Sequence, residues 1–316
     1  VKRTLRLPGD AAGRLDRALA DALGLGRATL KKAFALGEVR VAGRRVRASD
    51  PATPGAEVTL DVEDQRGPPA PEPGAPLAVL LEQPRFLVVD KPAGVAVHPL
   101  AAGEGGTLAN AVVARHPECA AASLDPREGG AAQRLDLETS GCVLFARDRG
   151  AWERLHDQLR RRTVEKVYLA LVAGRVAAGG VCSVPLAQRG GRVVPAPDQE
   201  AEERLRQKGL SPRPAETRWE VERRFERHTL LRVRIATGAM HQIRAHLALL
   251  GHPVAGDALY GGEAAGEAAA RELGLRRHFL HAARLGFESP DGGRVTVESP
   301  LPAELEAALA RLGPGA

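Results

Sequence analysis

The sequence predicts an α+β protein in two parts: a small basic unit of helices and strands, then one large domain built on a mixed sheet. Three observations carry this. At 316 residues the chain is too long for one ordinary domain and suits two, one of them large. Residues 65–76 hold five prolines and two glycines and read as a linker, part extended and part flexible, between residues 1–64 and 77–316. Beyond it, many strand-like runs are interspersed with helices but show no strict βαβ rhythm.

The first unit opens with a helix. Leu15, Ala18, Leu19, Ala22 and Leu23 form one apolar stripe, which Gly24 and Gly26 end. A second helix runs from Arg27 to Leu36, with Ala28, Leu30, Ala33 and Phe34 inward and Lys31 and Lys32 outward, until Gly37 stops it. Residues 38–47 alternate as a hairpin about Ala42-Gly43, and Glu57–Val62 reads as a further strand.

In the large domain, 78–81 and 86–90 are strand-like, followed by a turn at Lys91-Pro92-Ala93-Gly94. A helix with Thr107 as its cap runs to Arg115, and 142–146 is a strand. Residues 150–161 form a helix whose Arg-rich end suits its dipole, and 166–172 is a strand. Residues 187–215 are polar, Pro/Gly-rich and expected as an exposed loop or hairpin; strands resume at 217–225 and 229–236. Met240–Leu250 is a helix closed by Gly251, 262–276 reads as a surface insertion, and strands at 278–287 and 294–298 precede a C-terminal helix.

Composition narrows the function. Hydrophobic residues make up 44%, enough for a sizeable core, whereas aromatics at 3% are too scarce for a base-stacking, single-strand-binding surface. No run of about 18 apolar residues appears, and the N-terminus lacks a signal peptide's apolar stretch, so a membrane partner is not expected. Cys119, Cys142 and Cys182 are far apart and odd in number, as fits reduced thiols in a cytoplasmic protein. The net charge of +6 is uneven: residues 1–47 carry 12 Lys/Arg against 4 Asp/Glu, and the rest of the chain is slightly acidic. Such a localised field attracts phosphate backbones, although a solvated basic face would look the same.

One stretch stands apart. Asp136 lies between Leu135 and Leu137, next to a Thr139-Ser140-Gly141 turn, with Ala131-Ala132 and Cys142–Ala146 as apolar flanks. Desolvation penalises an ionised carboxylate there unless a cation or donors answer it. On spacing alone, an Asp that caps the amides of its own turn is the favoured reading. No glycine-rich phosphate loop is present, and His241 and His246 are spaced i, i+5 rather than as a helical zinc pair, so neither cofactor nor metal is expected. Ser140 has no nucleophile-elbow context.

Five stretches, taken in order, resemble the RNA pseudouridine synthases of the large-subunit-ribosomal-RNA and transfer-RNA type: FLVVDKPAGVAVHP (86–99), QRLDLETSGCVLFARD (133–148), KVYLALVAG (166–174), ATGAMHQIRAHLALLGHPVAGDALYG (236–261) and FLHAARLGF (279–287). The first unit resembles an S4 RNA-binding domain through GRLDRALADALGLGRATLKKAFALGEVRVAGRRV and PGAEVTL. The resemblance implies a largely antiparallel catalytic sheet and conversion of a uridine in RNA to its carbon-linked isomer, without a cofactor. It implies Asp136 as the essential carboxylate, Arg244 as its cation and Tyr168 as the aromatic that stacks on uracil. It gives Arg134 a part in holding or replacing the flipped nucleotide. Lys91, His98, Lys166 and His241 are implied as RNA-facing or supporting groups, with a structural role as the alternative. Arg14, Arg17, Arg27, Lys31, Lys32, Arg40 and Arg44 are implied as phosphate contacts. The implied partner is ribosomal or transfer RNA, and a monomer is the default. This sequence departs from the family where Gln133 replaces a His and where Ala239 and Met240 replace an Arg and a Thr; Gly26 and Ala42 replace the usual Ser and Asn of the basic unit. A rival reading is a paralogue that binds RNA, or assists ribosome assembly, without modifying it.

Overall fold

The computed structural model describes residues 2–23, 27–61, 67–101 and 103–314, without the side chains of residues 2, 3, 27–29, 32 and 61. Arg27 and Lys32 as phosphate contacts therefore lie outside the described side chains. The chain divides into two compact units, Val1–Gln65 and Arg66–Ala316.

In the first unit, β1 (Lys2–Arg6) precedes α1 (Leu15–Leu23) and α2 (Arg27–Leu36), which are followed by β2 (Val39–Val41), β3 (Arg44–Arg45) and β4 (Glu57–Asp61). The strands form one antiparallel sheet in the order β1-β4-β2-β3. Leu15 and Leu19 of α1, Leu30 and Ala33 of α2 and Val39, Val58 and Leu60 of the sheet share one core. The β2–β3 turn puts Ala42 and Gly43 at φ 47° and 77°, the left-handed pair that lets two residues connect twisted strands. Strand β1 was not anticipated from the sequence; it pairs along its whole length with β4.

The second unit continues with β5 (Ala78–Glu82), β6 (Phe86–Lys91), α3 (Leu108–Arg115), β7 (Ser140–Ala146), α4 (Arg149–Arg161), β8 (Glu165–Ala173) and β9 (Gly180–Cys182). The hairpin β10 (Leu186–Arg189) and β11 (Arg192–Pro195) leads to α5 (Gln199–Gln207). Then come β12 (Thr217–Arg224), β13 (His228–Ile235), α6 (Gln242–Leu249), α7 (Ala258–Gly261), α8 (Glu263–Leu273), β14 (Leu280–Glu288), β15 (Arg294–Glu298) and α9 (Ala303–Arg311). The main sheet runs β5-β6-β7-β14-β8-β13-β12-β9, with β15 also on β14. Every pairing in it is antiparallel except β7–β14, which is parallel over His281↔Ser140 and Ala282↔Gly141. The architecture is thus α+β with a mixed, largely antiparallel sheet.

The expected hairpin in 187–215 is β10–β11, and two helices not expected from the sequence accompany it and the 262–276 segment. The 262–276 segment is α8, whose Ala269 and Leu273 enter the core beside Leu305 and Ala308 of α9. Within 187–215, α5 is capped by Asp198 and folds against the hairpin through Ala201 and Leu205. From residue 67 on, the Pro/Gly-rich segment lies along the second unit. Asn110 Nδ2 of α3 donates to the Ala70 carbonyl at 2.8 Å, and Glu72 Oε1 accepts the Gly106 amide at 2.9 Å.

Candidate active site

Asp136 ends the loop that leads into β7, a strand buried at every residue. Two backbone contacts shape this turn: Thr139 N–H donates to the Asp136 carbonyl at 3.0 Å, and Gly94 N–H donates to the Leu137 carbonyl at 3.0 Å. Lys91, at the end of β6, donates its ammonium protons to the carbonyls of Pro92, Val95 and Leu137 at 2.9, 2.7 and 2.8 Å. Its side chain is closed to solvent, and burial pushes its pKa down to about 8. Lys91 is therefore a brace for the turn; a phosphate has no path to its ammonium, which corrects the RNA-facing expectation while keeping the structural one.

Behind the turn, Thr139 Oγ1 meets His278 Nε2 at 2.9 Å and Ser140 Oγ meets His281 Nδ1 at 3.0 Å. Arg277 donates to the Glu138 carbonyl at 2.9 Å and to Ser140 Oγ at 3.0 Å. Three consecutive residues after Asp136 are thus held by one segment, 277–281. Burial first, then the neighbouring Arg244 charge, lowers His278 to about 3, so it serves as a neutral hydrogen-bonding group.

Opposite the carboxylate stands Arg244, on the first turn of α6. Nη1 donates to Asp136 Oδ2 at 3.1 Å, while Nε and Nη2 form a fork on Asp257, at 2.7 and 2.9 Å. Asp257 is fully buried and also caps α7 through the amides of Leu259 and Tyr260. Burial opposes both charges, but the paired hydrogen bonds prevail: Arg244 is raised above its ordinary value and Asp257 held below the usual carboxylate range. The guanidinium is thereby shared, two nitrogens anchored and one presented to Asp136.

Tyr168 and Lys166 lie two residues apart on β8 and so face the same side. Both line a cavity of ≈ 490 Å³ together with Asp136, Arg244, Arg134 and His98. Burial, then the nearby Asp136 charge, raises the Tyr168 phenol, which stays protonated. Lys166 Nζ donates to the Thr237 carbonyl at 3.1 Å, and burial lowers it to about 8. Arg134 is exposed on the cavity's rim and makes no hydrogen bond with protein among the described residues. His98 Nδ1 contacts its neighbour's carbonyl, Pro99, at 2.9 Å. His241 begins α6 at φ 52°, with Nε2 3.9 Å from Asp136 Oδ2 and Nδ1 3.1 Å from the Tyr260 hydroxyl.

In the first unit, Arg14, Arg17, Lys31, Arg40 and Arg44 are all exposed. Arg14 pairs with Asp16 at 2.8 Å and Arg40 donates to the Gly43 carbonyl at 3.1 Å, so each begins partly engaged.

The sequence reading missed Asp257 and Tyr260. Both sit in the stretch 236–261, and a cap signal was available: an Asp ahead of Ala258–Gly261 with a tyrosine three residues on. At the departures from the family pattern, Ala239 and Met240 pack with Leu186, Val193 and Ala245 beside Tyr260, an apolar contact in place of a cation. Gln133 donates to the Cys142 carbonyl at 3.3 Å.

The chain is similar to known proteins along most of its length. Residues 85–249 match the family model described as RNA pseudouridylate synthase. The chain is 36% identical over 315 residues to "Ribosomal large subunit pseudouridine synthase D" of Xanthomonas campestris pv. campestris, covering 97% of this chain and 91% of that one. It is 34% identical over 328 residues to "Ribosomal large subunit pseudouridine synthase C" of Escherichia coli (strain K12), covering 98% and 96%. Among solved structures it is similar to Human RNA Pseudouridylate Synthase Domain Containing 1, with a TM-score of 0.56 and 26% identity over 72% of this chain and 86% of that one. Relatives named as synthases along nearly the whole chain set aside the non-catalytic rival. The chain belongs to the RNA pseudouridylate synthases and is an isomerase acting on RNA.

Proposed function

We propose that the protein isomerises uridines of large-subunit ribosomal RNA, with Asp136 as the catalytic carboxylate, Arg244 as the cation that holds it and Tyr168 as the platform for the flipped uracil. The observation that carries this is the convergence of the three side chains, from a loop, a helix and a strand, on one cavity with a 3.1 Å contact between the first two. The reaction breaks the bond from the anomeric carbon to uracil N1 and joins that carbon to C5; C5 loses a proton and N1 gains one. Asp136 begins it either by adding to the anomeric carbon or by removing a ribose proton. Both routes need one carboxylate oxygen free, and the sharing of Arg244 with Asp257 leaves Oδ1 without a hydrogen bond among the described residues. Tyr168 offers its ring to the uracil, and its phenol stays protonated throughout. Arg134, on the rim, is placed to occupy the space of the extruded nucleotide, whose unstacking costs a few kcal/mol. Lys166 and His98 line the same wall.

The ribosomal substrate rests on the printed names of the relatives. In this reading the first unit is an S4-like RNA-binding domain, its exposed Arg17, Lys31 and Arg44 meeting phosphates, and the protein acts as a cytoplasmic monomer. No helix among the described residues is long and apolar enough to cross a membrane. The test is to incubate the protein with large-subunit ribosomal RNA transcripts and, separately, with transfer RNA, and to measure pseudouridine after digestion to nucleosides. Formation in the ribosomal transcripts is expected; formation in transfer RNA alone would overturn the substrate assignment.

A further inference from the structure

His241 has a backbone and a side-chain setting that phosphate binding does not explain. It is a non-glycine residue in left-handed conformation at the N-cap of α6, where its side chain makes no capping bond. Conformations of this kind persist where the surroundings over-determine them, and they gather at working sites. Here the determinant is a chain of hydrogen bonds. The Val193 amide of β11 donates to the Tyr260 hydroxyl at 2.9 Å, and that hydroxyl lies 3.1 Å from His241 Nδ1. An amide is only a donor, so the tyrosine oxygen accepts from it; the phenol proton then has Nδ1 as its acceptor among the described residues. An imidazole that accepts at Nδ1 carries its own proton on Nε2. Burial lowers the His241 pKa against the opposing pull of Asp136, with Arg244 adding to the lowering, so the ring is neutral at neutral pH. Nε2 points into the cavity, 3.9 Å from Asp136 Oδ2.

We propose that His241 is a further catalytic residue: its Nε2–H, oriented by Tyr260 and Val193, donates a hydrogen bond to a carbonyl oxygen of the uracil as the base leaves the ribose. This rests on Asp136 as the carboxylate that opens the same bond. When the bond to N1 breaks, its electron pair stays with the base and charge spreads onto the conjugated carbonyl oxygens. A neutral donor fixed beforehand stabilises that charge more than it stabilises bound uridine, and its proton remains on nitrogen throughout. A protonated imidazole would turn instead to the Asp136 carboxylate. Of the groups around the ring, Asp136 and Asp257 pull toward the charged form, whereas burial and Arg244 favour the neutral one and prevail; Tyr260 holds the tautomer.

Two amides separate the roles of the two ring nitrogens. His241→Gln can place an N–H near the position of Nε2, whereas the shorter His241→Asn reaches only the position of Nδ1, where its amide oxygen can accept from Tyr260. Asn also tolerates left-handed backbone better, so backbone strain works against the expected order. The expected kcat for His241→Asn is lower by about 100-fold with KM little changed, and His241→Gln retains most of the wild-type kcat. Tyr260→Phe, which frees the ring to change tautomer, falls between them. Asn equal to or better than Gln, or effects confined to KM, would overturn the proposal. Asp136→Asn serves as the control: if it stays active, the reading beneath the proposal fails, and if it is dead while Gln and Asn rank equally, only the role of His241 fails.

Discussion

At the scale of residues, the centre of the site is one guanidinium divided between two carboxylates. Arg244 spends its planar fork on buried Asp257 and offers a single nitrogen to Asp136. A lysine has no fork to divide, so Arg244→Lys is expected to misplace Asp136 and lower kcat/KM by about 100-fold, as steady-state kinetics would show. Asp257→Ala removes the buried partner of that fork and the cap of α7 together. A loss of about 3–5 kcal/mol in urea denaturation is expected; a loss under about 1 kcal/mol would mean the pair is not held as described. Asp136 drew notice in the sequence because an acid between two leucines, on the way into an apolar strand, is out of place unless it is answered, but spacing alone favoured a turn cap and its role came from the family resemblance. Its answer, Arg244, was reached through the family resemblance, since the two lie far apart in the chain. Asp257 escaped because an Asp before a short helical turn looks like an ordinary cap, which it also is. For Lys91 the sequence left an RNA-facing and a structural role open, since a lysine beside a turn gives no sign that three backbone carbonyls surround its ammonium. Lys166 carries a pH signature. Its folded pKa is about 8, below its ordinary value, so between about pH 8 and 10.5 the unfolded chain holds the extra proton and stability rises with pH. Lys166→Met should abolish that part of the slope in denaturation curves taken across the window.

At the scale of elements, the parallel contact of β7 with β14 brings the Asp136 loop and the 277–281 segment together. It depends on Gly141, at φ 116°, where a Cβ would stand 2.3 Å from the carbonyl oxygen of Ala282. Gly141→Ala is expected to destabilise by several kcal/mol, more than an ordinary surface exchange, and to reduce activity with it; a variant that melts like the wild type would contradict this close approach. Helices with strong caps were readable in advance. Thr107 caps α3 in a reciprocal pair with Asn110, and α4 begins at an Asp148 cap and ends on arginines. Helices α5 and α8 were not. Each buries only two residues four apart (Ala201 and Leu205, Ala269 and Leu273), too little apolar periodicity to stand out from a charged or alanine-rich surface segment. The capping Asp198 and the Glu200–Arg204 and Glu202–Arg206 pairs were the signals available for α5. Helix α6 starts at Gln242, after the expected Met240, because left-handed His241 cannot continue it backward.

At the scale of the whole molecule, neutral histidines and the tethered start of the second unit set the behaviour. Burial lowers His246, His278 and His281 below the ordinary histidine value, His278 to about 3. As pH falls through about 6.5, the unfolded chain takes up protons that the folded chain refuses, so stability is lost from there downward. The urea midpoint should drop clearly between about pH 7.5 and 5.5, before most carboxylates titrate; a flat midpoint would contradict the buried neutral rings. Two truncations test the division of the chain. Removing residues 1–65 should leave a folded second unit that binds RNA more weakly and with a shallower salt dependence. Removing residues 1–76 should destabilise it further, because Asn110 and the Gly106 amide lose Ala70 and Glu72. The basic unit was visible as a run of charge on a helical and hairpin pattern, whereas the docking of 67–76 was not, since prolines and glycines look the same tethered or free. Activity of this molecule depends on the carboxylate at 136, and the most direct measurement is tritium release from RNA labelled at uracil C5, wild type against Asp136→Ala. Release by the wild-type protein and only background from the variant is expected; equal release from both would contradict the assignment of this carboxylate.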